Sequence, residues 1–131
     1  MRLRTRWRPF AWHGRKVRVV LISFSPEVVR ACRQIMPQYR VCWTSNLNGI
    51  ATATTAERYL AEFQASGAQG LGLQADAPVT EEWLQRVRGE DGILAAWTVN
   101  EVTVARRMAA LGVDFIITDR PGGLRREMSG K

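Results

Sequence analysis

The sequence predicts an α/β protein built from parallel β/α units, and three observations lead to that fold class. From residue 17 onward, short apolar runs rich in β-branched residues alternate with amphipathic stretches of helical periodicity. Helix-capping residues and glycines separate these segments at regular intervals. Five predicted strands separated by four predicted helices require parallel pairing through right-handed crossovers.

The first unit is a strand over 17–24 and the helix that follows it. The strand is mostly apolar, as expected for a strand covered on both faces. Ser25 is the expected N-cap, and Pro26 suits the first helical position because its fixed φ is already helical. Pro37 ends the helix, since proline lacks the amide hydrogen that the next turn needs.

The second unit begins with a strand over 39–44. Residues 45–53 are small and polar and predict a loop, and a helix follows over 55–66. Gly67 stands where a left-handed residue is expected to close that helix. The glycine-rich segment 70–74 predicts a third strand.

The remaining elements follow the same pattern. Thr80 is the expected cap of a helix that leads into a strand over 93–99. Asn100 is the expected cap of the next helix, and 115–118 is the last predicted strand. Residues 119–123 predict a turn, and the rest of the chain is expected to be a polar tail.

This periodicity leaves two architectures open. An open, flavodoxin-like sheet and one half of a (βα)8 barrel both alternate strands and helices. A complete barrel takes about 250 residues, and this chain has 131. The motifs are needed to decide between them.

Charge and composition restrict the class of protein. Of the 19 Lys and Arg residues, seven lie within residues 1–18, which hold no acid, so twelve remain against twelve Asp and Glu. The excess of +7 therefore belongs to a tail, and we expect no nucleic-acid partner. No apolar run suits a transmembrane segment or a secretory signal. Cys32 and Cys42 do not form a CxxC pair and are typical of reduced, cytoplasmic proteins, although a disulfide between them stays an alternative.

Two strand ends carry residues that suggest a family. The first is W-T-V-N at 97–100, followed by G-V-D at 112–114 and by I-I-T-D-R-P at 116–121. The second is S-F at 23–24. In order and spacing these segments resemble the C-terminal half of glycerophosphodiester phosphodiesterases, and the resemblance covers residues 17–124.

The resemblance implies a TIM (βα)8 barrel of the PLC-like phosphodiesterase type, of which this chain would form the C-terminal half. It also implies hydrolysis of glycerophosphodiesters to an alcohol and glycerol 3-phosphate, in lipid metabolism. Two histidines would perform general acid–base catalysis. Carboxylates would hold a divalent cation, Mg²⁺ or Ca²⁺, which neutralises the phosphoryl oxygens.

The motifs that carry this chemistry in the family are H-R-G, E-x-D, H-D and E-x-K, and this sequence has none of them. The single histidine, His13, lies in W-H-G-R, which permutes H-R-G without matching it. We interpret His13 as a solvated residue of the tail. We therefore expect no catalytic residue and no metal ligand here, and we expect the chain alone to be inactive, as a truncated enzyme.

Four residues are candidates for the rim of the substrate pocket, because strand C-termini surround the active site of such a barrel. They are Trp97, Ser23, Phe24 and Asn100. Packing explains Phe24 and Trp97 equally well, capping explains Asn100, and a backbone contact explains Ser23. Asp119 and Arg120 would pair across their turn, or Arg120 would meet phosphate, and a plain surface position is the simpler interpretation. The strand end at 43–46 is a further rim candidate that matches no family motif.

We divide the chain into a basic tail unrelated to the family (1–16), a partial phosphodiesterase domain (17–124) and a polar tail (125–131). The alternative function is a non-catalytic half barrel that self-associates through open sheet edges. A third hypothesis, that the Arg-rich tail binds nucleic acid or anionic membranes, is the weakest.

Overall fold

The structure is a computed structural model. It describes the backbone of residues 10–12 and 15–17 and all atoms of residues 19–129. His13 and most of the basic tail lie outside the described residues, so the interpretation of that histidine stays a prediction.

A short antiparallel hairpin precedes five β/α units in the described residues. The strands are β1 (Phe10–Trp12), β2 (Arg15–Val17), β3 (Val20–Ser23), β4 (Arg40–Ser45), β5 (Gly70–Gln74), β6 (Ile93–Trp97) and β7 (Phe115–Ile116). The helices are α1 (Pro26–Ile35), α2 (Ala53–Ser66), α3 (Glu81–Arg88), α4 (Val102–Ala110) and α5 (Pro121–Met128).

The order of the strands decides between the two architectures. The five-stranded sheet has the order β3-β4-β5-β6-β7, and every pair is parallel. Each crossover therefore leads to the adjacent strand in the same direction, whereas a flavodoxin-like sheet reverses direction at a switch point. The sheet curls into half of a TIM barrel, as the resemblance implied.

The two faces of the sheet carry different side chains. Leu71 and Leu73 of β5 and Leu94 of β6 belong to the core between the sheet and the helices. The alternate residues face the concave side, which would be the interior of a closed barrel. Gly72 lies on that side, where a Cβ would come within 2.6 Å of Ile22 Cδ1 and 2.8 Å of Thr44 Oγ1. Glycine thus leaves room for the Ile22 and Thr44 side chains on the concave face of β5.

Most of the predicted helix ends are confirmed. The Ser25 hydroxyl accepts from the Val28 amide at 3.3 Å, and the Thr80 hydroxyl accepts from the Trp83 amide at 3.1 Å. Gly67 closes α2 with a φ of +73°, in the left-handed region that favours glycine. These local signals were readable because each depends on one residue type at one position.

Three predictions about elements are wrong. The strand expected over 17–24 is split into β2 and β3, which belong to different sheets. Asn100 does not cap α4, because the N-cap is Glu101 and no side chain bonds the free amides. The turn and polar tail expected after residue 118 instead form α5, whose Leu124 is buried in the core. That burial outweighs the helix penalty of the two glycines, about 1 kcal/mol each.

The cysteines and helices add two further observations. Cys32 and Cys42 are both free. Burial raises the pKa of the Cys42 thiol to about 12, so the thiol stays neutral. None of the described helices is both long enough and apolar enough to span a membrane.

Candidate functional site

An aromatic pair lies at the edge of the sheet where the parallel strands end. Phe24 follows β3 and Trp97 ends β6, and their ring centroids are 5.9 Å apart at an interplanar angle of 73°. Such an edge-to-face contact is a favourable geometry for two aromatic rings. Phe24 is 61% exposed despite this contact. The pair therefore presents an open apolar surface at the mouth of the half barrel.

The structure decides which face of β6 carries Trp97, a point that the sequence left open. The indole Nε1 donates to Thr44 Oγ1 at 2.8 Å. Thr44 lies opposite Gly72 in the ladder between β4 and β5 and bonds to it across the concave side. Trp97 therefore points toward the concave side, away from the core that holds Leu94 and Ala96.

Ser23 does not join the aromatic pair. Its hydroxyl accepts from the Ser25 amide at 3.0 Å and so supports the turn into α1. Because Ile22 faces Gly72 on the concave side, side-chain alternation turns Ser23 toward the helices. A role for Ser23 at the pocket rim stays a prediction.

Asn100 links two loops at the same edge of the sheet. Its Oδ1 accepts from Thr118 Oγ1 at 2.9 Å and from the Asp119 amide at 3.0 Å, and its Nδ2 donates to Asp119 Oδ2 at 3.0 Å. The asparagine of W-T-V-N and the Thr-Asp of the last motif thus hold the loops after β6 and β7 together. A contact between Asn100 and substrate stays a prediction.

Arg120 forms an ion pair with Glu127. Its guanidinium donates to both carboxylate oxygens of Glu127 at 2.8 and 2.7 Å, and also to the Asn100 carbonyl at 2.8 Å. Asp119 bonds Asn100 instead, so the alternative in which Asp119 and Arg120 pair is wrong, and Arg120 occupies a plain surface position with its side chain 43% exposed. The hydrogen bond from Arg120 lowers the pKa of Glu127, which keeps the carboxylate ionised and paired.

The G-V-D motif lies at the opposite end of the sheet. Asp114 Oδ2 accepts from the Leu94 amide at 3.0 Å and from Arg88 at 3.1 Å. The Arg88 side chain is 2% exposed and also donates to the Gly112 carbonyl. A cavity of about 520 Å³ at this end is lined by Arg88 and Asp91 among others. In parallel barrels this end serves stability, so we assign the motif a structural role.

The described residues do not fit a divalent cation. Among them, no three His, Cys, Asp or Glu side chains form a group that could hold a metal ion. At the strand ends, the Asp119 carboxylate accepts a hydrogen bond from an amide side chain. Mg²⁺ and Ca²⁺ need several converging oxygen ligands, so no chemical step can be derived through an ion held by these residues.

Sequence reasoning underrated the end of β4. Thr44 is buried, and its hydroxyl bonds both Trp97 and the Gly72 carbonyl. Trp43 is buried on the other face, and its indole Nε1 donates to the Phe24 carbonyl at 3.1 Å. The segment 43–46 was noted as a rim candidate, but nothing in the sequence showed that it contacts both aromatic residues.

Comparison with known proteins shows which family this chain resembles. The sequence model of the glycerophosphoryl diester phosphodiesterase family matches residues 1–123. A solved structure described as a glycerophosphoryl diester phosphodiesterase, from Silicibacter pomeroyi, is 30% identical with a TM-score of 0.62, over 83% of this chain and 37% of its own. A search of the curated proteins found no match.

Two more distant structures share the fold. An Oleispira antarctica phosphodiesterase in complex with the product sn-glycerol-3-phosphate is 14% identical with a TM-score of 0.64, over 84% of this chain and 41% of its own. A glycerophosphodiester phosphodiesterase from Parabacteroides distasonis is 20% identical with a TM-score of 0.60, over 83% of this chain and 42% of its own.

The chain thus spans less than half the length of these solved structures. The family match, in contrast, covers nearly all of the chain. It includes both strand-end motifs and the loops that Asn100 joins. The chain therefore belongs to the glycerophosphoryl diester phosphodiesterase family.

Proposed function

We propose that this chain supplies the C-terminal half of a barrel that hydrolyses glycerophosphodiesters to an alcohol and glycerol 3-phosphate. The observation that carries the proposal is the exposed pair of Phe24 and Trp97 at the carboxyl ends of the strands. In this fold the carboxyl ends of the strands border the active site. The pair would form an apolar wall against the carbon skeleton of the glycerol or of the leaving alcohol.

The acid–base groups and the ligands of a divalent cation would come from outside residues 19–129. The motifs that carry these groups in the family, H-R-G, E-x-D, H-D and E-x-K, do not occur in this sequence, and the proposal therefore assigns these groups to the rest of the barrel. We expect purified chain supplied with Mg²⁺ or Ca²⁺ not to hydrolyse glycerophosphocholine. Metal-dependent turnover that persists after His13→Ala would contradict this expectation and would require a different catalytic site.

Binding tests the proposed wall without requiring turnover. The chain labelled with ¹⁵N is titrated with sn-glycerol 3-phosphate, and the indole N–H resonances are followed. We expect the resonance of Trp97 to shift and that of Trp83, a residue of α3 whose indole donates to the Ala56 carbonyl of α2, to stay in place. A titration that leaves the Trp97 resonance unmoved would refute the pocket assignment.

The free thiols of both cysteines support the cytoplasm as the compartment.

Self-association is the second candidate function, and the concave face favours it. Ile22 is 42% exposed there, beside the exposed Phe24. β3 and β7 are the edge strands of the five-stranded sheet, and an edge strand is a common place for pairing with another chain. A second copy of the chain would cover the apolar face and both edges. Such a dimer would be isologous, with the same face contributed by each copy.

Sedimentation equilibrium tests the dimer directly. We expect Ile22→Lys to shift the chain toward the monomer, because a buried lysine is costly at an apolar interface. Ile35→Lys is the matched control, since Ile35 is 75% exposed at the end of α1 and not on the concave face. A wild-type chain that stays monomeric at high concentration would refute self-association.

A further inference from the structure

The end of β4 contacts both aromatic residues of the candidate pocket, one from each face of the sheet. Trp43 points toward the helices, where its ring lies 6.4 Å from that of Tyr59, and it donates to the Phe24 carbonyl. Thr44 points toward the concave side and accepts from the Trp97 indole. Two consecutive residues of one strand thus bond the backbone of Phe24 and the ring of Trp97, the two residues whose rings meet at the mouth.

The Thr44 hydroxyl has a fixed direction. It is buried, and it donates its single proton to the Gly72 carbonyl at 2.8 Å. Its oxygen is therefore oriented to accept from Trp97 Nε1 at 2.8 Å. Gly72 is required for this arrangement, since a Cβ at that position would come within 2.8 Å of Thr44 Oγ1.

We propose that Thr44 is a positioning residue that fixes the Trp97 indole across the mouth of the pocket. Because Trp97 is only half-buried, packing alone restricts its side-chain torsion angles weakly. The hydrogen bond to a buried, oriented hydroxyl restricts them and holds the ring edge-to-face with Phe24. Thr44 would thereby set the width of the apolar wall without touching the substrate. This inference rests on the proposed function, in which Trp97 lines the pocket.

The test compares Thr44→Val, which keeps the shape and removes the hydroxyl, with Thr44→Ser, which keeps the hydroxyl. Hydrogen exchange of the Trp97 indole N–H is measured by NMR, with Trp97→Phe used to assign the resonance. Loss of one hydrogen bond should make exchange about fivefold faster in Thr44→Val. Thr44→Ser should exchange at the wild-type rate. Equal rates in Thr44→Val and wild type would overturn the proposal.

A ligand titration separates this proposal from the one on which it rests. We expect sn-glycerol 3-phosphate to shift the Trp97 resonance in wild type and Thr44→Ser, and to bind Thr44→Val several-fold more weakly. If the Trp97 resonance of the wild type does not shift with ligand, the pocket assignment is refuted, and any effect of Thr44 on ligand binding is refuted with it. A resonance that moves with ligand, together with unchanged exchange in Thr44→Val, refutes only the role of Thr44.

A second variant covers the case in which Thr44→Val does not fold. Gly72→Ala would place a Cβ against Thr44 Oγ1 and displace the hydroxyl from the indole. We expect it to accelerate exchange at Trp97 while the indole of Trp83, which bonds the Ala56 carbonyl at 2.9 Å, keeps its rate. Acceleration at both indoles would indicate general loosening and would count against a specific role for Thr44.

Discussion

Replacement of Trp97 by alanine should weaken ligand binding more than it lowers the stability of the fold. The contacts of Trp97 in the structure give the expected loss of stability. A buried tryptophan replaced by alanine typically costs about 3–5 kcal/mol. Trp97 is half-buried, with one hydrogen bond worth about 1 kcal/mol and one aromatic contact worth about 0.5–1.5 kcal/mol. We therefore expect Trp97→Ala to lower the free energy of unfolding by about 1.5–2.5 kcal/mol.

Trp83 provides a matched control for this prediction. Its indole also makes one hydrogen bond, to the Ala56 carbonyl of α2, but the residue is 5% exposed and belongs to the core between the sheet and the helices. Trp83→Ala should cost the full value of a buried tryptophan, about 3–5 kcal/mol. Its folded fraction should still bind sn-glycerol 3-phosphate as wild type does, whereas folded Trp97→Ala should not.

Urea unfolding and NMR titration of the two variants provide the measurements. The reasoning is refuted if Trp97→Ala loses as much stability as Trp83→Ala while its folded fraction binds the ligand normally. Trp97 would then be a core residue, and the aromatic wall would have to be withdrawn. Similar m-values in the two variants would confirm that both unfold from the same native state.

Three further predictions concern the framework of the half barrel. Asp114→Ala should lower the free energy of unfolding by about 3–5 kcal/mol in urea, because it leaves the Arg88 guanidinium buried without its carboxylate. The Cys42 thiol should resist alkylation at pH 8 in the folded chain, since its pKa of about 12 keeps it neutral. This raised pKa adds stability below the ordinary thiol pKa, and the contribution is lost as pH rises toward about 12. Gly67→Ala should cost about 1 kcal/mol in urea, because its φ of +73° strains any side chain.

Each of these has a control within the chain. Adding Arg88→Met to Asp114→Ala should recover part of the loss, and no recovery would contradict the buried-pair argument. Cys32 is half-buried and should be alkylated first; equal rates at the two cysteines would show that Cys42 is accessible. Gly122→Ala, at a helical position with a negative φ, should not destabilise, and an equal loss at Gly122 and Gly67 would remove the conformational explanation.

The sequence predicted the local features of the fold better than its arrangement. Ser25, Thr80 and Gly67 each mark a helix end through a property of one residue type, and each is found as expected. Strand order depends on long-range pairing, which periodicity does not contain. The choice of a barrel over an open sheet therefore came from the family resemblance, and the order β3-β4-β5-β6-β7 confirms it.

The misses at Asn100 and α5 share one physical cause. Asparagine is a common N-cap, but its side chain here has partners from a loop that lies 18 residues further along the chain. Two glycines after Pro121 suggest a turn, but Leu124 is buried in the core and its burial stabilises the helix. In both places a tertiary contact outweighed the local preference. Thr44 was missed for the same reason, because its partner Trp97 is 53 residues away.

The motif residues that resemble the family lie at both ends of the sheet, and the residues at the two ends have different roles. Asp114 of G-V-D fastens the start of β6 to α3 through Leu94 and Arg88. Trp97 and Asn100 of W-T-V-N lie at the other end. There Trp97 donates to Thr44 on the concave side, and Asn100 joins the loops after β6 and β7. Motifs at both ends identify the fold. Among the described residues, the exposed aromatic pair of Phe24 and Trp97 lies at the carboxyl ends of the strands, so the proposed contact with a ligand belongs to that end.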